Sequence, residues 1–189
     1  MIMNLEEEYT RICSRPLDRE GVINGDIYEH LLRLRELAGE CGNATEFGVR
    51  SSVSTVPLLL GCGDVRSYDI ADNKPRFAQV AEAAKAEGKK WIFHKESTLE
   101  AVIEPTDLLF IDTLHTYGQL LAELERHAAK VAKKIVLHDT VSFGERGEDG
   151  RSPGLNGAVD AFLRNHPEWT KSDVRTNNNG LTTLSRVTP

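Results

Sequence analysis

The sequence has few cysteines for its length. Its 189 residues include only three, Cys13, Cys41 and Cys62, and these form no C-x-x-C pair. An odd number of widely spaced cysteines argues against a disulfide framework and against a cysteine-based zinc site. The predicted location is therefore a reducing compartment, the cytoplasm.

Long apolar stretches and an excess of basic residues are also missing. No run of about 18 apolar residues occurs, which argues against a membrane-spanning helix. The first eight residues include three glutamates, whereas a signal peptide starts with basic residues and continues with apolar ones. With 29 acidic residues against 23 basic ones, the net charge is −6. A protein that binds phosphate backbones needs a basic surface, so we expect binding to neither nucleic acid nor membranes.

From residue 44 onward, short apolar runs alternate with helical patterns. The predicted strands are Ala44–Gly48, Arg66–Ile70, Lys90–His94, Asp107–Ile111 and Lys134–Leu137. The predicted helices are Asp26–Glu40, Val53–Leu60, Lys74–Glu87, Tyr117–Val131 and Gly157–Asn165, with a short one at Thr98–Val102. This alternation predicts a doubly wound α/β sheet of mostly parallel strands in one domain.

The C-terminal part departs from the alternation. Trp169–Arg175 and Leu181–Val187 have the residue types of strands, and the segment Thr-Asn-Asn-Asn-Gly lies between them. Asn-Gly before alternating apolar and polar residues is a strong hairpin signal. We therefore expect the sheet to end in an antiparallel hairpin.

Acidic residues stand at or just after the ends of the predicted strands, among them Glu46, Asp69, Asp112 and Asp139. Ligands of open α/β sheets bind at these carboxyl ends. Asp69 follows Gly48 by 21 residues, the separation that a strand–helix–strand unit requires. A carboxylate at the end of the second strand can accept both ribose hydroxyls of an adenosine cofactor.

A second glycine-containing segment, residues 60–64, resembles a cofactor loop but lies too close to Asp69. Gly63 precedes Asp69 by six residues, which leaves no room for an intervening helix. We interpret Gly61 and Gly63 as the end of a helix and the turn before the second strand.

The loop after the first predicted strand distinguishes between cofactors. A dinucleotide loop needs the pattern G-x-G-x-x-G, so that backbone amides can approach a pyrophosphate. Here Gly48 is followed by Val49, Arg50 and two serines. This suits a nucleoside without pyrophosphate, such as S-adenosylmethionine, better than NAD. Glu46 is predicted to meet the ammonium group of the methionine end, or else only to brace the loop.

The fourth and fifth predicted strands end in Asp112 and Asp139. If these strands pair, the two carboxylates converge and form a site for a hard cation such as magnesium. His138 occupies a place where a third carboxylate would make a stronger site. His115 is a candidate general base because an imidazole with a pKa of about 6.5 titrates near neutrality. The alternative is that the carboxylates cap helices or hold loops and that His115 is a partly buried polar residue.

The segment Phe143–Asn156 is long and contains several glycines. Loops of this length in compact domains are either functional or mobile. We expect it either to close over the substrate or to be disordered.

At these residues the chain resembles class I S-adenosylmethionine-dependent methyltransferases. The resemblance is to the small-molecule O-methyltransferases that include cephalosporin-hydroxylase-like and macrocin or mycinamicin sugar methyltransferase relatives. The matching segments are EFGVR at 46–50, SYDI at 67–70, LFID at 109–112 with His115 and Tyr117, LHDT at 137–140 and NNGL at 178–181. Their order and spacing across residues 44–187 carry the resemblance, rather than any single motif.

The resemblance implies a Rossmann-like seven-stranded sheet with an antiparallel last strand. It also implies a cofactor-binding methyltransferase domain at residues 43–189. Residues 1–42 would precede it as a helical arm or lid, which could also form a homodimer contact. Cofactor contacts are implied for Glu46, Gly48, Ser51, Asp69, Ser97 and Asp112. Magnesium would be held by Asp112 and Asp139, with His138 in place of an acidic ligand and His115 as the base.

The predicted function is the transfer of a methyl group from S-adenosylmethionine to a hydroxyl of a small molecule, a sugar or natural-product intermediate. Asp112, His115 and Asp139 would carry the catalysis, with possible assistance from magnesium. Two alternatives remain on the same fold, an NAD-type oxidoreductase and a nucleoside-cofactor-binding protein without transferase activity. Binding of S-adenosylhomocysteine or of NAD would distinguish the oxidoreductase from the methyltransferase.

Overall fold

In the part of the chain that the structure describes, seven strands pair into one sheet. The computed structural model describes residues 4–14, 27–71 and 76–187. The strands are β1 Ala44–Phe47, β2 Asp64–Asp69, β3 Lys90–Lys95, β4 Thr106–Ile111, β5 Val131–His138, β6 Trp169–Arg175 and β7 Leu181–Arg186. Their order across the sheet is β3-β2-β1-β4-β5-β7-β6. Strands β1 to β5 run parallel, and β7 is antiparallel to both β5 and β6. The predicted doubly wound sheet with its antiparallel C-terminal hairpin is confirmed.

The central strand β4 is buried on both sides because its apolar residues alternate between two cores. Leu108 and Phe110 belong to the core on one face of the sheet. Leu109 and Ile111 belong to the core on the other face. A continuous apolar run is the pattern of a parallel strand that is covered by helices on both faces.

Within the described residues, six helices cover the two faces. They are α1 Leu5–Ser14, α2 Leu31–Gly39, α3 Thr55–Cys62, α4 Phe77–Ala86, α5 Tyr117–His127 and α6 Leu155–Asn165. Helices α1 to α4 share one core with the sheet, and α5 and α6 share the other. Between the two layers a cavity opens at the carboxyl ends of β1 to β4, which is where open sheets of this type bind ligands.

The described part of the predicted N-terminal arm packs into the core that α1 to α4 share with the sheet. Leu5 and Ile12 of α1, and Leu34 of α2, are fully buried in the cluster that includes Leu108 and Phe110. A 3-10 turn at Tyr28–His30 precedes α2. The predicted helix start at Asp26 lies outside the described residues. That this region acts as a lid or a homodimer contact stays a prediction.

Two predicted helices differ from the structure. Tyr117–Val131 was expected as one helix, but α5 ends at His127, a 3-10 turn follows, and Val131 already begins β5, where it pairs with Thr106. Strand pairing in the sheet thus overrides the helical periodicity of the last residues. Thr98–Val102 is a single turn, in which the Ala101 amide donates to the Ser97 carbonyl (2.9 Å).

Most other element boundaries shift by one to three residues at a helix or strand end; the largest of these shifts is at β5, which begins at Val131 and not at Lys134. The predicted start of the fourth helix, Lys74, lies outside the described residues. The interpretation of Gly63 is confirmed, because this residue ends α3 in a left-handed conformation with φ +76°. No helix among the described residues has both the length and the apolar character that a membrane span requires.

Candidate active site

A cavity of about 430 Å³ opens at the carboxyl ends of the parallel strands. This volume lies within the range of about 300–1,000 Å³ that is typical of small-molecule sites. The lining residues are Gly48, Arg50, Tyr68, Asp69, Ile70, Glu96, Ser97, Thr98, Asp112, Thr113, Leu114 and Gln119. Three of the side chains are carboxylates, and Tyr68, Ile70 and Leu114 provide apolar surface. The cavity therefore suits a ligand with both positive charge and an apolar or aromatic part.

Gly48 brings the first loop against the start of the loop after β4. Its φ is +82°, and a Cβ atom at this position would lie 1.9 Å from the carbonyl oxygen of Asp112. A side chain is therefore excluded on both conformational and steric grounds. Arg50 and Ser52 also adopt positive φ, 46° and 60°. The tightly turned loop leaves its backbone close to the floor of the cavity.

Asp69 lines the cavity and also fixes the first loop. Its Oδ2 accepts the backbone N–H groups of Val49 (2.8 Å) and Arg50 (3.0 Å), and its Oδ1 accepts that of Ala71 (2.9 Å). A carboxylate oxygen accepts about two hydrogen bonds, so the two amides occupy Oδ2, whereas Oδ1 can accept one more. The three backbone contacts fix the orientation of Asp69 at the cavity, and its role as the acceptor of ribose hydroxyls stays a prediction.

Glu46 does not lie among the described residues that line the cavity. Its side chain is fully buried and accepts hydrogen bonds from Ser54 Oγ (2.6 Å), Thr55 Oγ1 (2.8 Å) and Ser67 Oγ (2.6 Å). Burial raises the pKa of Glu46 to about 7, although these hydroxyl groups favour the charged form. The geometry supports bracing of the loop, the alternative reading of this residue, rather than direct contact with a cofactor ammonium.

The remaining predicted cofactor residues fall in two places. Ser97 and Asp112 line the cavity. Ser51 is 5% exposed and borders a smaller neighbouring hollow with Val49 and Ser54. This hollow shares Gly48, Arg50 and Asp112 with the main cavity, and the cofactor role of Ser51 stays a prediction.

Beside the cavity, two histidines and two aspartates form one cluster, as the pairing of β4 with β5 predicts. His115 Nε2 lies 3.0 Å from Asp112 Oδ1 and 3.0 Å from Asp139 Oδ2. His138 Nδ1 lies 3.6 Å from a carboxylate oxygen of each aspartate. One ligand atom each of Asp112, His138 and Asp139 can be chosen so that all three lie within 4.8 Å of one another. The predicted metal and catalytic residues are therefore brought together.

The charges of this cluster stabilise one another. Burial lowers the pKa of His115, but the hydrogen bonds and charges of Asp112 and Asp139 raise it to about 10. Burial raises the pKa of Asp112, but the two histidines lower it well below its usual range. As the cluster stands, His115 carries a proton at neutral pH and donates hydrogen bonds. This arrangement does not present His115 as a base, and the predicted role of base stays a prediction.

The segment at 141–154 is folded against the cluster. Glu148 Oε2 lies 2.6 Å from His115 Nδ1, and the Glu148 amide donates to the His115 carbonyl (3.0 Å). Phe143 stacks on the His115 ring with 4.8 Å between centroids. An isolated bridge between Arg146 and Pro153 closes the segment on itself. Sequence reasoning missed Glu148, because nothing in an aperiodic loop indicates which carboxylate turns back to the site.

A buried glutamate supports the other wall of the cavity. Glu123 on α5 is fully buried and accepts hydrogen bonds from Thr98 Oγ1 (2.6 Å), Thr113 Oγ1 (2.9 Å) and Gln119 Nε2 (2.8 Å). Its three partners all line the cavity. The signal for Glu123 lay in the helix pattern, since it shares the buried face of α5 with Leu120, Leu124 and His127.

Comparison with solved structures shows the fold family. The O-methyltransferase of Bacillus cereus in complex with S-adenosylhomocysteine is 17% identical, matches 97% of this chain and 90% of its own, and has a TM-score of 0.62. The N-methyltransferase NodS of Bradyrhizobium japonicum, with S-adenosylhomocysteine, is 14% identical over 97% and 99% of the two chains, with a TM-score of 0.60. A putative caffeoyl-CoA O-methyltransferase of Staphylococcus aureus is 15% identical over 98% and 93%, with a TM-score of 0.59.

A scan against protein-family models gives no match, and neither does a search of the curated proteins. The structural likeness, at these low identities, concerns the course of the chain and not its activity. It extends over nearly the whole chain, including the antiparallel end of the sheet. The chain has the Rossmann-like fold of the S-adenosylmethionine-dependent methyltransferases.

Proposed function

We propose that this protein transfers the methyl group of S-adenosylmethionine to a hydroxyl oxygen of a small molecule. The observation that carries the proposal is the position of Asp112. This residue lines the cavity and also contacts His115 in the acid–imidazole cluster. A cofactor in the cavity and an acceptor at the cluster would thus be adjacent, as group transfer requires.

The residues of the cavity fit this cofactor. S-adenosylmethionine carries a sulfonium and an ammonium, and the carboxylates of Asp69, Glu96 and Asp112 border the cavity with negative charge. Arg50, at the same cavity, suits the carboxylate of the methionine end. Ile70 supplies apolar surface of the kind that an adenine ring contacts. The close approach of the Gly48 loop leaves the cavity floor free of a side chain at that point.

The reaction needs few catalytic groups because the cofactor supplies the leaving group. The bond from sulfur to methyl breaks, a bond from oxygen to methyl forms, the acceptor hydroxyl loses its proton, and S-adenosylhomocysteine leaves. Asp112 and Asp139 orient the hydroxyl, and His115 takes up its proton. Because the two aspartates hold a proton on His115 at neutral pH, this role requires His115 to lose that proton before the transfer. A divalent cation held by the two aspartates, when bound, would offset their charge and polarise the acceptor oxygen. Magnesium is the cation that the sequence predicts for this role.

The acceptor that we propose is a small molecule, namely a sugar or natural-product intermediate. The net charge of −6 and the carboxylates at the site do not suit a nucleic acid acceptor. The proposed setting is the cytoplasm, where S-adenosylmethionine and reduced cysteines are both expected.

The direct test is methyl transfer from labelled S-adenosylmethionine to a panel of hydroxyl compounds. Transfer to at least one acceptor, lost in Asp112→Asn, supports the proposal. If the variant retains full methyl transfer, Asp112 has no role in the reaction. Hydride exchange with NAD and no methyl transfer would favour the oxidoreductase instead. Tight binding of S-adenosylhomocysteine without any transfer would favour a binding protein without transferase activity.

A further inference from the structure

We infer that Asp112, His138 and Asp139 bind a divalent first-row transition metal in preference to magnesium. The inference deepens the proposed function, on whose divalent cation it rests, and assigns the third ligand to the imidazole of His138. It concerns metal binding itself, so it can be tested without a methyl acceptor.

The three side chains are close enough to share one ion. Their candidate ligand atoms all lie within 4.8 Å of one another. Two ligands on opposite sides of one ion, each at about 2.0–2.2 Å, are about 4.0–4.4 Å apart. Small side-chain movements therefore suffice to bring one nitrogen and two oxygens onto a common ion.

His138 supplies the independent observation. Its side chain is only 1% exposed, and neither ring nitrogen has a hydrogen-bond partner among the described residues. Nδ1 lies 3.6 Å from Asp112 Oδ2 and 3.6 Å from Asp139 Oδ2. These are ion-pair distances, but they are too long for hydrogen bonds. Buried polar atoms are rarely left without a partner, since this costs free energy. A metal ion would satisfy the nitrogen that faces the two carboxylates.

The orphaned oxygen of Asp139 points to the same conclusion. Asp139 Oδ1 is buried and has no hydrogen-bond partner among the described residues. Asp139 also adopts a positive φ of 60°, which is uncommon for a residue other than glycine. The backbone leaves the extended conformation of β5 at Asp139, and the side chains of both His138 and Asp139 lie in the cluster.

The donor set decides the class of metal. Magnesium is a hard ion that prefers oxygen ligands and keeps several of its waters. Imidazole nitrogen suits zinc, iron and nickel, and affinity for mixed nitrogen and oxygen sites rises from manganese towards copper. One imidazole beside two carboxylates therefore does not fit magnesium well. The two aspartates alone would suit magnesium, whereas the added imidazole of His138 shifts the preference towards a transition metal.

Of the two neighbouring histidines, His115 would have to move for an ion to bind at this place, whereas His30 would not. His115 Nε2 contacts both aspartates and would compete with the ion for them. His30 contacts the His138 ring edge-on, with 5.7 Å between centroids. Its Nε2 is held by the carbonyls of Asn177 and Asn178 at 3.0 and 3.1 Å. His30 therefore limits the movement of His138 without occupying the space between the carboxylates.

The test is metal binding to the full chain after removal of metal with a chelator. Cobalt(II) is followed by its visible absorption, and magnesium by calorimetry. We expect one cobalt ion per chain and an affinity for magnesium weaker by about tenfold or more. His138→Asp, which makes the three donors all oxygen, should reduce this preference by about tenfold. His166→Gln, at a half-buried histidine outside the cluster that pairs with Glu125 and Glu168, is the matched control and should leave this preference unchanged.

Equal affinities for the two ions, or an unchanged preference in His138→Asp, would overturn the inference, as would the absence of any metal binding. If His138→Asp does not fold, electron spin-echo spectroscopy of manganese(II) on the unaltered protein decides. Imidazole nitrogen modulation supports His138 as a ligand, and its absence contradicts it. Methyl transfer enters none of these measurements. A failure of the proposed function would instead appear as no transfer by a protein that binds metal as expected.

Discussion

At the scale of single residues, the fully buried Glu46 couples stability to pH. Burial raises its pKa from 4.5 to about 7 in the folded protein. The folded state therefore binds a proton that the unfolded chain has already lost at intermediate pH. The contribution of Glu46 to stability is fully present below about pH 4.5 and is lost as the pH rises through about 7.

Glu46→Gln should therefore flatten this dependence. Glutamine keeps a side chain that can bond the hydroxyls of Ser54, Thr55 and Ser67 but removes the buried charge. Relative to the unaltered protein, we expect its free energy of unfolding to gain on the order of 3 kcal/mol between pH 5 and pH 8. Urea unfolding at several pH values measures this. Glu82→Gln, at an exposed residue of α4, is the control, and parallel curves for all three proteins would contradict the prediction.

Asp69 is the residue whose position best supports a nucleoside cofactor. Because it holds the Val49 and Arg50 amides and also borders the cavity, Asp69→Ala should loosen the loop and remove the acceptor for ribose hydroxyls. We expect the affinity for S-adenosylhomocysteine to fall by about 10- to 100-fold, in line with the loss of hydrogen bonds to a charged group. Calorimetric titration measures the affinity.

A matched control for Asp69 lies on the same strand. Asp64 stands at the opposite end of β2, where it pairs with Lys90 at 3.4 Å. Asp64→Ala should leave the affinity for S-adenosylhomocysteine unchanged. A similar loss in both variants would indicate damage to β2 as a whole and not the loss of a cofactor contact.

At the scale of secondary-structure elements, a buried ion pair joins α1 to α4. The carboxylate of Glu8 is 1% exposed and pairs with Arg76, which is 5% exposed and directly precedes α4. Glu8 also pairs with Arg11 at 2.8 Å. Removing one partner leaves a buried charge, so we expect Glu8→Ala to cost about 3–5 kcal/mol of the free energy of unfolding.

The same helix offers the control for Glu8. Glu6 pairs with Arg35 at 2.5 Å but is 57% exposed, and an exposed pair contributes at most about 1 kcal/mol. Chemical denaturation of Glu8→Ala and Glu6→Ala should therefore give clearly different losses. Similar losses would mean that the buried pair has no special role in fixing α1.

The loop at 141–154 positions His115 through Glu148. Glu148→Gln keeps the shape of the side chain but replaces a charged acceptor at Nδ1 with a weaker one. With an acceptor compound in hand, we expect the kcat of methyl transfer to fall by about tenfold or more, with little change in the KM for S-adenosylmethionine. Glu145→Gln on the same loop is the control. An unchanged kcat and pH profile in Glu148→Gln would remove Glu148 from the positioning of His115.

At the scale of the whole molecule, the sheet was predictable because its signals are local. The apolar run in β4 and the Asn-Gly turn before β7 each specify a neighbouring element, and their order along the chain specifies the sheet. The site was predictable only where strand ends place residues, as for Asp69 and Asp112. The buried state of Glu46 and the return of Glu148 to His115 depend on contacts between distant segments, which no local pattern encodes.

Cofactor binding should stabilise the molecule as a whole, because the cavity is built from the loops after four different strands. Asp69 is the last residue of β2, and Gly48, Ser97 and Asp112 follow β1, β3 and β4. A ligand in contact with all four residues opposes the separation of these strands. At about a hundredfold excess over its dissociation constant, S-adenosylhomocysteine should add about 2.7 kcal/mol. For a chain of this size, that corresponds to a rise in Tm of about 5–10 °C.

Thermal unfolding with S-adenosylhomocysteine and, separately, with NAD measures this effect. The missing glycines after Gly48 deprive a pyrophosphate of backbone donors, so NAD should leave the Tm unchanged. Asp69→Ala should reduce the shift with S-adenosylhomocysteine, whereas Asp64→Ala should retain it, which ties the stabilisation to the cavity. Stabilisation by NAD alone would contradict the choice of cofactor while leaving the fold intact, since both cofactors bind at the same edge of related sheets.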